Sequence, residues 1–169
     1  MICSSYKDKV SLVPTEWVLY FHFMEMFDDT YFMKQALVEA QKAYDADEVP
    51  VGAVVVIDQR IIARAHNLTE RLNDVTAHAE MQAITAAAHF LNGKYLTGCT
   101  LYVSLEPCVM CLGALYWSQL SRIVFAASDP KRGFQQAHLN PHPKTTIQGG
   151  VMDREAATLI QDFFKNKRA

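Results

Sequence analysis

The stretch Leu105-Glu106-Pro107-Cys108-Val109-Met110-Cys111 carries two cysteines spaced C-x-x-C, directly after a proline. This spacing lets two thiolates at the start of a helix face a single metal ion. Taken alone the pair is a weak signal, because redox pairs and zinc ribbons use the same spacing. Its meaning therefore depends on the other ligands that the chain supplies.

A further candidate ligand lies upstream, in His78-Ala79-Glu80. An isolated histidine is more often a satisfied surface or core residue, but here it would join two thiolates. Zinc with three protein ligands keeps a fourth position for water, which is the catalytic and not the structural pattern. Glu80 is close enough to move that water's proton, and a carboxyl group can both accept and donate. We predict His78, Cys108 and Cys111 as zinc ligands and Glu80 as the catalytic acid–base.

Composition limits the class of protein. The chain has 169 residues, is 50% hydrophobic and carries a net charge of −2. One domain of this length can bury a sizeable core, and the charge is unlike that of a general nucleic-acid binder. Any contact with nucleic acid would then come from a local patch. Four cysteines, two of them assigned to metal, suggest no disulfide framework, so we expect a reducing, cytoplasmic compartment.

Hydrophobic periodicity predicts alternating helices and strands. In order, these are a helix between the caps at 28–30 and residues 45–50, strands 51–57 and 61–65, a helix 77–90 capped by Thr76, a strand 100–104, a helix 108–117, strands 122–126 and 146–148, and a helix after residue 150. The first two strands form an antiparallel hairpin, and the crossover between 100–104 and 122–126 implies parallel pairing. We predict a single three-layer α/β/α domain over residues 28–169, around a mixed five-stranded sheet.

Residues 1–27 are predicted to be an N-terminal extension of that domain. Its apolar part, residues 17–27, is too short to span a membrane and lacks the basic start and cleavage site of a signal peptide. We therefore expect no membrane association. Met24 and Met26 are candidate alternative translation starts.

The order H-x-E, then P-C-x-x-C, resembles the signature of zinc-dependent nucleobase deaminases. From residue 48 to 168 the chain is similar to the bacterial tRNA-specific adenosine deaminases, which convert the wobble adenosine of the anticodon to inosine. The stretches that carry the resemblance are Glu48-Val49-Pro50-Val51-Gly52-Ala53, Thr76-Ala77-His78-Ala79-Glu80, Leu101 to Cys111, Arg122-Ile123-Val124-Phe125 and Asp162-Phe163-Phe164. The resemblance implies a cytidine-deaminase-like fold, one zinc ion per subunit, a homodimer formed through the helix after the cysteines, and the tRNA anticodon arm as partner.

The resemblance also implies substrate contacts outside the metal cluster. These are Asn67 at the flipped base, Asp129 beside the sugar and backbone, and Ala79, Phe164, Lys167 and Arg168. Each has a simpler alternative: Asn67 could shape a loop, Asp129 could form a turn, and the basic residues could be a solvated helix end. Of Phe163 and Phe164, we expect one to pack inside and the other to be exposed.

Two departures from the family pattern keep other functions open. The loop after Gly133 is short and begins Phe134-Gln135-Gln136, and Tyr116-Trp117 resembles bacterial guanine deaminases. Because loops beside the site select the base, a free nucleobase or nucleoside deaminase acting on guanine, cytosine or adenosine is an alternative. A structural zinc module or inactive partner subunit is another. A structural site would need a fourth ligand, for which Cys99 and His89 are the candidates.

Overall fold

The fold alternates helices with the strands of one sheet, as shown by a computed structural model that describes residues 27–168. In chain order the elements are α1 Asp29–Asp45, β1 Gly52–Ile57, β2 Arg60–His66, α2 Ala79–Phe90, β3 Thr100–Leu105, α3 Val109–Trp117, β4 Arg122–Ala127, β5 Thr146–Gln148 and α4 Asp153–Asn166. The predicted extension lies outside the described residues, except for Phe27. Among residues 27–168, none of the helices has the length and apolar character needed to cross a membrane.

The five strands form one mixed sheet in the order β2-β1-β3-β4-β5. Strand β1 pairs antiparallel with both β2 and β3, whereas β3 with β4 and β4 with β5 pair parallel. The predicted hairpin, the parallel crossover and the short fifth strand are therefore confirmed. Parallel pairing of β3 and β4 matters for function, because it brings the carboxyl ends of both strands to one edge of the sheet.

Apolar side chains alternate between the two faces of the sheet. Ala53 and Val55 of β1 join one core cluster with α2 and α3, while Val54 and Val56 join a second cluster with α1 and α4. Strands covered on both faces are nearly continuous apolar runs, as β1 and residues 123–127 of β4 are. The two clusters confirm the predicted three layers, and they put α2 and α3 side by side on one face.

Helix α1 packs very closely on β1. A Cβ atom at Gly52 would lie 2.1 Å from Ala40 N and 2.2 Å from Ala36 O. Glycine at this position and alanines on the facing side of α1 therefore allow the backbones to approach, which fixes the segment between α1 and β1.

The predicted helix starts are wrong by one or two residues at the functionally important ends. Thr76 does not cap α2. Its N–H and hydroxyl both donate to Asp74 Oδ1 at 2.8 Å, which makes a separate turn before the helix. Helix α2 begins at Ala79 with His78 as its N-cap, and α3 begins at Val109 with Cys108 as its N-cap. Each N-cap residue is thus a predicted metal ligand.

Candidate metal centre and active site

Three predicted ligands meet at the adjacent N-termini of α2 and α3. The Nδ1 atom of His78 lies 3.5 Å from Cys111 Sγ and 3.7 Å from Cys108 Sγ, and the three ligand atoms lie within 4.8 Å of one another. Tetrahedral zinc with bonds of about 2.0–2.3 Å holds its ligand atoms about 3.5–3.8 Å apart. The spacing and donor types of these residues therefore fit a zinc ion.

The two helix starts also suit anionic ligands. The first backbone N–H groups of a helix lack intrahelical partners, and the helix dipole is positive at that end. Strand β3 leads directly into Cys108, and Cys111 lies buried in the first turn of α3. The fold thus delivers both sulfur atoms to a site where thiolates are favoured.

The protons of this cluster are shared between its members. The pKa of Cys108 falls to about 4, first because the Cys111 thiol donates a hydrogen bond to it and also through His78. The pKa of Cys111 is raised by that same interaction and by burial. The pKa of His78 is raised chiefly by its hydrogen bond with Cys108, although burial and the positive charge of Arg132 act against this. Zinc binding must displace the shared protons, so the affinity for zinc depends on pH.

Glu80 lies beside the three ligands without joining them. It occupies the first turn of α2, is only 4% exposed and interacts with the Cys111 side chain. Burial is the main cause that raises its pKa to about 7. A carboxyl group with a pKa near neutrality can both take up and release protons at physiological pH, which is the property required of a general acid–base.

The alternative of a closed structural zinc site lacks a fourth ligand within residues 27–168. Cys99 precedes β3 while Cys108 follows it, and six strand residues span about 20 Å. His89 stands near the far end of α2, about 15 Å along the helix from His78. Neither candidate reaches the cluster, so residues 27–168 would leave the fourth position of a bound zinc ion to water or substrate.

Asn67 begins the loop that leads to His78. The N–H of the next residue, Leu68, donates to Ala77 O at 3.0 Å, which holds the loop beside the cluster. Asn67 is buried, and its Nδ2 donates to Glu48 Oε2 and Thr69 Oγ1, both at 3.0 Å. Its Oδ1 accepts no hydrogen bond within residues 27–168, yet no buried polar side-chain atom there lacks a partner. This oxygen therefore reaches solvent and is free to accept a hydrogen bond.

Glu48 organises the same loop and received no role from sequence reasoning. Its side chain is fully buried and accepts four hydrogen bonds, from Asn67 Nδ2, Thr69 Oγ1, Glu70 N and Arg71 N, at 2.7 to 3.2 Å. A carboxylate directly before a buried strand, without a basic neighbour, is the signal that could have drawn attention to it. Its effect is to fix both the loop and the orientation of the Asn67 amide.

Asp129 opens a second loop beside the cluster. Its Oδ1 accepts hydrogen bonds from Lys131 N at 2.9 Å and Arg132 N at 3.0 Å, so the simpler expectation of a turn is met. Gly133 forms a backbone bridge with Cys108, and Phe134 N donates to Pro107 O at 3.0 Å. Together these contacts hold the loop against the zinc-ligand segment. Whether Asp129 also contacts substrate stays a prediction.

A second buried carboxylate, Glu106, holds this loop and was likewise missed. It accepts hydrogen bonds from Asp129 N at 3.1 Å and Gln135 N at 2.9 Å. A Cβ atom at Gly133 would lie 2.4 Å from the Glu106 carboxyl group, so glycine is required for this approach. The site is therefore flanked by two loops, each fastened by one buried glutamate.

Comparison with known proteins places this geometry in a family. Residues 26–127 match the cytidine and deoxycytidylate deaminase zinc-binding region. The tRNA-specific adenosine deaminase of Agrobacterium fabrum is 42% identical over 149 residues, covering 85% of this chain and 98% of that protein. The chain belongs to the tRNA-specific adenosine deaminase family. Zinc is accordingly its cofactor, and the cluster fits one zinc ion per chain.

Two solved structures extend the comparison. A structure from work on A-to-I editing by tRNA:A34 deaminases at the wobble position is 43% identical, has a TM-score of 0.71, and covers 77% of this chain and 99% of that one. Guanine deaminase from Bacillus subtilis is also 43% identical, but has a TM-score of 0.55 and covers 57% of this chain and 62% of that one. The adenosine deaminase family thus matches over more of the chain and with a closer overall fold.

The remaining residues that the tRNA-specific adenosine deaminase resemblance implies lie in two places. Ala79 is fully buried at the start of α2, and its contact with substrate stays a prediction. Phe163 is buried in α4, and Phe164 is 44% exposed, as expected of the pair.

The basic end of α4 is partly engaged within the chain. Lys167 pairs with Asp47, and Arg168 Nε donates to Phe164 O at 3.0 Å. These contacts match the simpler alternative of a helix end bonded locally. Both side chains are also exposed, and their contact with RNA stays a prediction.

Proposed function

We propose that this chain is a zinc-dependent hydrolase that converts adenosine to inosine at the wobble position of a tRNA anticodon. The observation that carries the proposal is the buried Glu80 carboxyl group beside the His78, Cys108 and Cys111 cluster, in a chain of this family. The substrate is named by relatives: the Agrobacterium fabrum protein is a tRNA-specific adenosine deaminase, and the solved neighbour comes from work on tRNA:A34 deaminases.

The proposed reaction adds water at C6 of adenosine and releases ammonia. His78, Cys108 and Cys111 hold zinc, which supplies an activated water at neutral pH. Glu80 accepts a proton from the attacking water and delivers it to the neighbouring ring nitrogen. It then transfers the second proton to the departing amine, so that adenosine and water give inosine and ammonia.

Two loops and the start of α2 would hold the adenosine. The target base must leave the anticodon stack to reach a site beside a buried carboxyl group. The Asn67 Oδ1 atom offers an acceptor, the Ala79 N–H offers a donor, and Asp129 stands at the start of the second loop. The exposed Phe164 ring lies on α4, Lys167 and Arg168 follow directly after that helix, and all three would meet the anticodon arm. We include the cytoplasm in the proposal as the location of this reaction.

A second copy of the chain would cover the outer face of α3. Val109 is 49% exposed, Tyr116 38% and Trp117 78%, and a Cβ atom at Gly113 would meet nothing within 4 Å. Three large apolar side chains on a nine-residue helix form an exposed patch of the kind that marks an interface. We include a homodimer through this face in the proposal.

Guanine deamination is the second candidate function. The Bacillus subtilis guanine deaminase supports it at 43% identity over 57% of the chain, and the short loop after Gly133 alters the region beside the site. The adenosine deaminase relative covers 85% of the chain, so it is preferred.

A substrate panel separates the two candidates. The purified protein is incubated with a transcribed tRNA carrying adenosine at the wobble position, with the same tRNA carrying guanosine there, and with free adenosine, guanine and cytidine. The proposal expects inosine in the first tRNA and no ammonia from the free compounds. Ammonia from guanine with an unchanged tRNA would replace it with the second candidate.

A further inference from the structure

Two exposed basic residues stand at the edge of the active site, where the structure fixes their backbone. Lys131 N and Arg132 N both donate to Asp129 Oδ1, and the following residue, Gly133, bridges to the ligand Cys108. The loop is thus held on both sides of Arg132, next to the metal cluster. The side chains of Lys131 and Arg132 form no ion pair with any residue from 27 to 168.

The stretch of sequence that follows Asp129 is basic. From Pro130 to Met152 the sequence contains Lys131, Arg132 and Lys144, together with two histidines, and no aspartate or glutamate. The chain as a whole carries a net charge of −2, so this stretch is a local exception. Its basic start is also the part nearest the cluster.

The backbone places Arg132 beside the metal cluster. Its neighbour Gly133 pairs with the ligand Cys108 through a backbone bridge, and Phe134 N donates to Pro107 O at 3.0 Å. The Arg132 side chain is exposed at this position, so its charge is available to a ligand at the rim of the site.

We propose that Arg132, assisted by Lys131, binds a backbone phosphate next to the flipped adenosine. The inference rests on the proposed function, because it needs an RNA substrate. A guanidinium group offers a planar set of donors that matches two oxygens of a phosphodiester. Asp129 forms no ion pair with Arg132, and its Oδ1 atom accepts hydrogen bonds from two backbone N–H groups.

This role differs from that of the residues that would contact the adenine base. A phosphate contact holds the strand in register and carries no information about the base. Arg132 would therefore lower KM for tRNA without setting which base is deaminated. It would also contribute to the salt dependence of the reaction, because neutralising a phosphate releases counterions. For a single strand, each such contact steepens the fall of log affinity with log salt concentration by about 0.7.

The test compares wild type, Arg132→Ala, Arg132→Lys and a matched control, Arg60→Ala. Arg60 is an exposed cation at the start of β2, about 20 Å along the strand from Asn67. Steady-state inosine formation is measured on a tRNA anticodon stem-loop from low to high salt. Two further substrates each carry a neutral methylphosphonate at one of the two phosphates that flank the adenosine.

We expect Arg132→Ala to raise KM by about threefold to tenfold and to reduce the salt slope by about 0.7, with kcat little changed. Arg132→Lys should recover part of the loss, and Arg60→Ala should match wild type. On one of the two methylphosphonate substrates the difference between wild type and Arg132→Ala should disappear.

Three outcomes would overturn the inference. The first is an Arg132→Ala enzyme with an unchanged KM and salt slope. The second is an equal penalty on the phosphate and on both methylphosphonate substrates. The third is a shift only in the pH profile of kcat, which would mean that Arg132 acts through the metal cluster. If wild type forms no inosine on any of these RNAs, the proposed function fails first, and the two failures are distinguishable.

Discussion

At the scale of single residues, the site depends on carboxyl groups that are buried for different purposes. Glu80 is buried beside the metal ligands, where desolvation raises its pKa to about 7. Glu48 and Glu106 are also buried, and they accept hydrogen bonds from the two flanking loops. Glu80 can exchange protons with a substrate, while Glu48 and Glu106 hold the loops that the substrate would touch.

Glu48→Gln should separate loop positioning from metal chemistry. The glutamine amide places a donor among four existing donors, so at least one buried hydrogen bond is lost, at a cost of about 1–3 kcal/mol. We expect lower stability in urea and a raised KM, because the Asn67 amide is no longer held. Zinc content should stay at one per chain.

The matched control for this substitution is Glu39→Gln. Glu39 is also buried, but its partners are side chains on α1 and β2, including Lys42 at 2.9 Å. It should lose stability with little change in KM. A Glu48→Gln protein with wild-type KM would contradict the role given to Glu48.

At the scale of elements, sequence reasoning located the helices and strands and the metal ligands. His78-Ala79-Glu80 and the C-x-x-C pair Cys108 and Cys111 are two short motifs, and their combined chemistry is recognisable from their order in the chain. Hydrophobic periodicity located the strands and helices, the tight hairpin predicted one antiparallel pair, and the helical crossover predicted one parallel pair. These features depend on residues that are near one another in sequence.

What the sequence did not reveal depends on distant partners. Glu48 meets the 67–71 loop, and Glu106 meets residues up to 29 positions away. No local pattern records such pairings. Thr76 is a residue type that suits a helix cap. Its N–H and hydroxyl instead donate to the Asp74 carboxylate, in a turn that ends before the helix begins. Helix ends and loop anchors therefore required the structure.

Asp29 ties α1 to the middle of the sheet and gives a pH-dependent prediction. Its carboxylate accepts from Arg122 at 2.6 and 2.7 Å and from Tyr102 OH at 2.8 Å. The bond from Arg122 is the main cause that lowers the pKa of Asp29 below its ordinary value of 3.8. A lowered folded-state pKa stabilises the protein above the ordinary value, and this contribution is lost as pH falls through the folded-state pKa.

Asp29→Asn should reduce the free energy of unfolding at pH 7 by about 1–2 kcal/mol. The difference from wild type should shrink as urea unfolding is repeated below pH 4. Asp162→Asn, which removes an exposed acid from α4, is the control and should show no such trend. A difference that stays constant down to the lowest pH at which the protein folds would rule out the ionic account.

At the scale of the whole molecule, the exposed apolar side chains of α3 predict the oligomeric state. Trp117 is 78% exposed and stands against Tyr116, whose ring also contacts His142. Trp117→Lys should give a monomer in sedimentation velocity, where wild type gives a dimer, because a buried unpaired charge opposes association. Val38→Lys, at a half-exposed apolar residue of α1, should remain dimeric. A monomeric wild type would contradict the proposed dimer.

The central claim is that one zinc cluster and one buried carboxyl group deaminate adenosine in RNA. The most direct measurement is made on Glu80→Gln, with zinc content and single-turnover inosine formation determined on the same sample. We predict about one zinc per chain, as in wild type, and a rate lower by about 10²–10⁴-fold, because the metal ligands are intact and the proton carrier is gone. A Glu80→Gln protein that retains zinc and forms inosine at the wild-type rate would contradict the account.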